Sequence, residues 1–321
     1  MPTTTETSED FGRLAEPFRR ELIAYGYRML GSLDDAEEIV QDVYLEAWRA
    51  YDRFEGRSSL RTWLYRIATR AFIKGIERHH RRPLPSDLSD PAMDAFVAVQ
   101  PGSAELAWLQ PAPDSVLTGA LADPAAVVTA RHTARLAFIA ALQVLTPRQR
   151  AVLILRDVLS LSAAEVAAVL DLSVAAVNSA LQRARSRLPA DHDTVVEPSQ
   201  TRERELLDRY VAAFENADVT GLMAVLTEDA MFEMPPVVTW FRGADDVGGF
   251  LGARMRELGK ASIIRISANW QPAVALYVGP GGKRRLHSLQ VLTVAPQGIS
   301  RIVSFMDRGA LRAFDLPEAH S

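Results

Sequence analysis

The sequence predicts a multidomain chain: two all-α helical modules, the second with a helix-turn-helix, followed by an α+β domain. Three observations predict it. Apolar residues recur at helical spacing through the first third. Residues 146–188 carry three successive helix-start signals around one tight connector. In the last third, helical patterns come first and strand patterns follow. A length of 321 residues fits two or three domains. With 48% hydrophobic and 24% charged residues the composition is that of an ordinary globular protein.

Leu14, Phe18, Leu22, Tyr25 and Met29 predict the first helix, with Gly31 as its stop. A second helix is predicted from about Asp34 to Ala50. Its apolar positions are Ala36, Ile39, Val40, Val43, Tyr44, Ala47 and Trp48. Its first turn is acidic, as the helix dipole prefers. After the loop DRFEGRSS, a third helix starts near Ser59 and repeats the pattern with Leu60, Trp63, Leu64, Ile67, Ala68, Ala71 and Phe72. Arg66, Arg70, Lys74 and Arg78 stand at i+4 steps on its other face. Such a stripe is either a solvated face or a phosphate track, and the near absence of anions favours the track.

Residues 83–128 read as a Pro-rich linker, holding seven of the chain's 18 Pro. Within it lies Trp108-Leu109-Gln110-Pro111-Ala112-Pro113. Burying the Trp-Leu pair is worth several kcal/mol at about 25 cal/mol per Å². Two destinations are open, the neighbouring helices or another domain.

Residues 129–190 form the second module. Thr146 and Gln149 make a capping box with Pro147 at the first helical position. Ser162 and Glu165 make another, and Asp171-Leu172-Ser173 is the connector to a helix over 173–188. That last helix carries Asn178, Ser179, Gln182, Arg183, Arg185 and Arg187. Asn, Gln and Arg are the side chains that make paired hydrogen bonds to base edges.

A polar linker, 191–203, leads to the last domain, 204–321. Helices are predicted around Leu206–Phe214, Val219–Leu226 and Val247–Leu258, with a short strand from Ala230 to Met234 stopped by Pro235-Pro236. Four further strands are predicted: Ser262–Trp270, Ala273–Val278, Arg284–Val294 and Ile299–Met306. The breaks Gly279-Pro280-Gly281-Gly282 and Pro296-Gln297-Gly298 separate the later ones. Asp229, Glu233, Asp307 and His287 are its candidate catalytic side chains, but no spacing among them specifies a nucleophile, metal site or acid-base pair.

Charge and composition limit the partners. The net charge is -4, yet residues 61–82 carry +6 and residues 128–190 carry +5. Two basic modules in an acidic chain suggest one extended polyanion contacted twice. There is no Cys, and the six His show no metal-ligand spacing, so neither a metal nor a cofactor is expected. No apolar run approaches the roughly 18 residues of a membrane span. The polar start MPTTTETSEDFG lacks a signal-peptide core, so the expectation is a cytoplasmic chain with no membrane partner.

The block DDAEEIVQDVYLEAWRAYDRFEGRSSLRTWLYRIATRAFI resembles the second conserved region of sigma-70-type factors of the small extracytoplasmic-function (ECF) type. LTPRQRAVLILRDVLSLSAAEVAAVLDLSVAAVNSALQRARSRL resembles their fourth region. The last third, with LTEDAMFEMPP and WFRG, resembles the SnoaL-like branch of the NTF2-like cone fold. The resemblance implies a promoter-specificity subunit whose partners are bacterial core RNA polymerase and promoter DNA. It places the polymerase-binding face on Glu38, Gln41, Asp42, Leu45 and Arg49. It places minus-10 reading and melting on Arg57, Ser58, Arg61, Thr62, Arg66, Thr69, Arg70, Lys74 and Arg78. It places minus-35 reading on Ser173, Ala175, Ala176, Asn178, Ser179, Gln182, Arg183, Arg185 and Arg187. A regulatory interdomain contact is expected at Trp108, Leu109, Pro111 and Pro113, and a small-molecule or protein effector at the SnoaL-like domain. The expected function is therefore an ECF sigma factor with a fused regulatory domain and no catalysis. Two alternatives stand beside it. One is a SnoaL-like cyclase or hydrolase carrying DNA-binding modules; the other is a ligand-responsive regulator that does not join polymerase.

Overall fold

A computed structural model describes residues 4–79, 81–118, 131–188, 198–279 and 284–320. The chain divides into two compact units, each discontinuous in sequence: 1–82 with 114–192, and 83–113 with 193–321. The stretch read from composition as one linker is thus split. Residues 83–113 pack into the second unit, and Asp114–Leu117 is a short helix of the first. Residues 119–130, residues 191–197 of the second linker, and Pro280, Gly281 and Gly282 of the predicted turn lie outside the described residues.

The first unit begins with α1 (Thr4–Ala15), α2 (Arg19–Leu30), α3 (Leu33–Ala50) and α4 (Leu60–His79). The single helix expected from Leu14 to Met29 is two. Pro17 sits in a 3-10 turn, Glu16–Phe18, where its missing N–H interrupts the α ladder, and Leu14 is exposed. At the other end of α2 the expected stop is found: Gly31 takes φ 71, and its N–H reaches Tyr27 O at 2.7 Å. Ser32 Oγ then accepts from Asp35 N–H at 3.2 Å and starts α3. Leu22, Tyr25, Met29, Val40, Val43 and Phe72 are buried among these helices. Gly26 allows the close approach, because a Cβ there would stand 2.7 Å from the Phe72 ring.

The same unit continues with α5 (Asp114–Leu117), α6 (Leu136–Leu142), α7 (Pro147–Leu153), a π turn (Ile154–Val158), α8 (Ala163–Leu170) and α9 (Val174–Arg187). Both capping boxes form as the sequence predicts. Ser173 Oγ accepts from Ala176 N–H at 3.2 Å and starts α9. Asp171, at φ 57, makes the left-handed turn, and α8 and α9 meet at 99°. Helix α8 packs on α4, while α7 packs on α2 and α4. Arg150, on α7, is 1% exposed and joins the two halves. Its Nη1 donates to Met29 O on α2 and to Gln143 Oε1 at 3.0 Å, and its Nη2 donates to Leu145 O at 3.3 Å. Burial pulls this guanidinium down to about 10, so it remains charged at neutral pH.

The second unit packs α10 (Gln200–Asn216), α11 (Val219–Met223) and α12 (Ala244–Leu258) against a sheet. The strands are β1 (Leu226–Glu233), β2 (Trp240–Arg242), β3 (Ser262–Ala268), β4 (Gln271–Val278), β5 (Arg284–Ala295), β6 (Gly298–Phe305) and β7 (Ala319–His320). Their order is β2-β1-β6-β5-β4-β3, with β7 on β5. The expected antiparallel meander is β3 to β6; β1 joins it parallel to β6. This is the α+β arrangement that the SnoaL-like resemblance implies. The strand expected to run to Trp270 ends at Ala268, because Asn269 and Trp270 take φ 55 and 56 and turn the chain into β4. A short helix, α13 (Arg308–Leu311), follows β6 and is capped by Asp307.

Candidate nucleic-acid interface

Helix α9 has two unlike faces. Val177, Ala180, Leu181 and Ala184 are buried against the module. Ser173, Ala175, Asn178, Ser179, Gln182, Arg183, Arg185 and Arg187 are exposed, and Ala176 is half-buried. The arginines at the end of the helix are not alike. Arg185 pairs with Asp157 through two bonds, 3.0 and 2.7 Å, and the carboxylate raises its pKa. Arg187 Nη1 donates to Gln149 Oε1 at 3.1 Å. Both are thereby oriented by their own module, a division of roles that residue type and spacing do not reveal.

On α4 the predicted stripe is real: Arg66, Arg70, Lys74 and Arg78 are all exposed. Its setting does not follow from spacing alone. A groove of about 380 Å³ between α3 and α4 places Asp35, Glu38, Asp42 and Glu46 opposite Arg70, Lys74 and Arg78. The acidic helix and the basic helix thus border one groove, and each moderates the other's field there. Glu38, Gln41, Asp42, Leu45 and Arg49 are exposed on α3, joined by Trp48, which is 44% exposed although its spacing matches the apolar stripe. Leu45 and Trp48 are thus large apolar side chains exposed among charged ones.

The start of α4 is tied down. Ser59 Oγ accepts from Thr62 N–H at 3.1 Å, and the Ser59 and Thr62 hydroxyls lie 2.9 Å apart. Arg61 Nε reaches both Glu21 oxygens at 3.0 and 3.2 Å, and its guanidinium sits 5.1 Å from the Tyr65 ring centre. That carboxylate raises the Arg61 pKa. Arg57 is exposed and pairs with Glu55; Ser58 is exposed beside it. Phe54 and Trp63 place their rings 5.0 Å apart at the same corner. Thr69 departs from the expectation of a DNA-facing residue. It is fully buried, donating to Tyr65 O at 2.6 Å and lying 3.0 Å from Tyr25 Oη. Tyr65, Thr69, Phe72 and Ile76 share one buried face of α4, and Thr69 stands at its margin beside the cationic stripe.

Residues 83–113 lie along the α+β domain. Near their start, Ser86 N–H donates to Glu233 Oε1 at 2.9 Å, and Arg301 Nε holds Glu233 Oε2 at 2.6 Å. Midway, Gln100 O accepts from Val238 N–H at 2.9 Å, and Gly102 N–H donates to Pro236 O at 2.8 Å. The Trp108 ring leans on Gly102, where a Cβ would stand only 2.5 Å from it. Leu109, Pro111, Ala112 and Pro113 are buried, and Pro113 bridges to Ala268.

The four candidate catalytic side chains do not converge. Glu233 is consumed by Ser86 and Arg301. Asp307 caps α13, and Asp229 accepts from Thr227 Oγ1 at 2.9 Å. His287 lines an apolar cavity whose walls include none of the other three. Among the described residues no cluster of His, Asp or Glu has metal-holding geometry, and no single helix is long and apolar enough to cross a membrane.

Comparison with known proteins identifies two family regions, both within the first unit. Residues 14–82 match Sigma-70 region 2, and residues 135–188 match Sigma-70, region 4. The chain is 44% identical over 320 residues to the ECF RNA polymerase sigma factor SigG of Mycobacterium tuberculosis, covering 98% of this chain and 86% of that protein. It is 30% identical over 244 residues to SigJ of the same organism, covering 74% and 70%. The crystal structure of SigJ superposes with a TM-score of 0.62 at 22% identity, covering 94% of this chain and 98% of that one, which shows a shared fold.

Proposed function

The chain belongs to the ECF-type RNA polymerase sigma factors of the sigma-70 family, and from that premise we propose how its residues divide the work. As a sigma factor it binds core RNA polymerase and promoter DNA and directs promoter-specific initiation; it is not an enzyme. The exposed side of α3, with Glu38, Gln41, Asp42, Leu45 and Arg49 around Trp48, meets the polymerase clamp. Arg57, Ser58, Arg61 and Thr62, with the α4 stripe, hold the opened minus-10 strand, and Thr69 supports them from beneath. Asn178, Ser179, Gln182 and Arg183 read minus-35 base edges, with Ala175 and Ala176 as apolar contacts. Ser173, Arg185 and Arg187 hold phosphates. Work at promoters places the chain in the cytoplasm.

The observation that carries this reading is the pairing of two exposed surfaces, one on α9 and one on α3, each opposite a buried face of its helix. The C-terminal domain regulates by contact. It holds the segment between the two DNA-binding modules at both ends, through Glu233 at Ser86 and through Ala268 at Pro113. Trp108, Leu109, Pro111 and Pro113 are the anchors of that hold.

The test is run-off transcription by core polymerase with the full-length chain. Leu45→Asp abolishes capture of core polymerase while leaving DNA binding intact; Gln182→Ala weakens and relaxes promoter recognition while leaving capture of core polymerase intact. Failure of the unaltered chain to bind core polymerase, or loss of both activities in either variant, overturns the assignment.

A further inference from the structure

A cavity of about 210 Å³ lies within the α+β domain between α12 and the sheet. Its walls are mainly apolar, with Phe214, Phe232, Phe250, Met255, Leu276 and Met306 prominent. Ser288 breaks this pattern. It is 0% exposed, it lines the cavity, and its Oγ has no hydrogen-bond partner among the described residues. A buried hydroxyl left unpaired costs free energy, so one retained on a cavity wall marks where a polar atom is to be received.

The strand geometry explains the placement. Pairing of β4 with β5 jumps from Tyr277↔Leu286 to Leu276↔Ser288, so His287 is an extra residue in a bulge. Both His287 and Ser288 therefore reach the cavity. Burial lowers the His287 pKa, which keeps its ring neutral at pH 7. Two residues on, Gln290 is held by Tyr210 Oη at 2.8 Å. The charged residues lining the cavity, Arg254 and Glu257, are paired with each other at 2.9 Å, and Arg254 lies 5.4 Å from the Phe250 ring centre. The wall thus carries one cation and one anion that pair through Arg254 Nη2, while Arg254 Nε is, like Ser288 Oγ, buried without a partner among the described residues. Val99, from the segment that joins the DNA-binding modules, forms part of the wall.

We propose that this cavity is a binding site for a small, neutral, mainly apolar molecule bearing one hydroxyl or carbonyl oxygen, which pairs with Ser288 Oγ. Apolar burial supplies most of the affinity and Ser288 fixes the orientation. An occupant touches Val99 directly, so its presence is felt in the intermodule segment; that last step alone rests on the regulatory reading of the domain.

The test is isothermal titration calorimetry of the full-length chain with 2-octanone, n-octane and octanoate. 2-Octanone binds at one site, about three- to tenfold tighter than octane, the worth of one hydrogen bond. Octanoate binds least, because its carboxylate must be desolvated against a wall whose one cation, Arg254, is already paired with Glu257. Ser288→Ala removes an unpaired buried group, so the variant folds; in it 2-octanone and octane bind alike. Met255→Trp fills the cavity and abolishes both. No saturable heat with 2-octanone overturns the site. A preference for 2-octanone that survives Ser288→Ala overturns the role of Ser288. Because no transcription is measured, neither result depends on the regulatory assignment.

Discussion

Asn269 and Ala112 exchange two hydrogen bonds of 2.9 Å each: Asn269 Oδ1 accepts from Ala112 N–H, and Asn269 N–H donates to Ala112 O. The β3–β4 hairpin tip thereby grips an irregular segment as a neighbouring strand would. Asn suits the task twice, since it tolerates φ 55 and its side chain mimics a backbone carbonyl.

Asn269→Gly keeps the turn and deletes the side-chain half of this grip. It leaves the buried Ala112 N–H unsatisfied, at a cost of about 1–3 kcal/mol. Hydrogen exchange at Ala112 accelerates, and proteolysis between residues 83 and 113 follows. Unchanged protection at Ala112 would mean that the grip does not hold the segment.

Arg150→Met removes the donor shared by Met29 O, Gln143 Oε1 and Leu145 O. Urea unfolding of the first unit shifts by about 1–3 kcal/mol. The chain has no Cys, so paired spin labels on Cys introduced at Glu37 and Ser186 report the spacing of the two modules. The distance distribution broadens in the variant. A narrow, unaltered distribution would place the coupling elsewhere.

Gln182→Ala and Arg183→Ala each cost about 1–3 kcal/mol at particular base pairs and relax preference there. Arg185→Ala weakens all sequences alike and flattens the salt dependence. It also leaves the Asp157 carboxylate without its guanidinium partner, an unbalanced anion that repels a DNA phosphate bound at this end of α9. Asp157→Asn alone therefore weakens DNA binding less than Arg185→Ala. Equal, sequence-independent losses in all these variants, measured by binding competition, would refute the division of roles.

His287 sets a pH dependence. Its folded pKa lies below the ordinary value of 6.5 because burial penalises the imidazolium. The unfolded chain then binds more protons between the two values, so stability is full above pH 6.5 and is lost as pH falls toward the folded pKa. The urea midpoint of the α+β domain drops between pH 7.5 and 5, and His287→Gln reduces the drop. An equal drop in the variant would assign the effect to other groups.

Much of the DNA-binding half was legible in the sequence because its determinants are local. Thr146, Ser162 and Ser173 start helices, and Gly31 stops one, through contacts no more than four residues away. The exposed face of α9 follows from the same periodicity. What escaped is non-local or lies at the margin of a face. Thr69 falls one position from the cationic stripe, and its burial depends on Tyr25, 44 residues earlier. One partner of Glu233 is Ser86, 147 residues away, and composition can mark residues 83–113 as irregular without naming the surface they lie on. The left-handed pair at Asn269 and Trp270 carries no glycine, so the turn signal is weak and the strand pattern runs two residues past the strand's end.

The assignment of residues 83–113 to the second unit also constrains how the protein comes into being. A ribosome releases the first helical module, then this segment, then the second module, and only at the end the strands that shelter the segment. Until Ala268, Asn269 and Arg301 emerge, Leu109, Ala112 and Pro113 have no surface to cover them. Both helical modules are therefore born with the chain between them unhoused, and its path is fixed last. Any message truncated before β3 yields two DNA-binding modules on a free tether with an apolar patch, a species open to misassembly and to proteases.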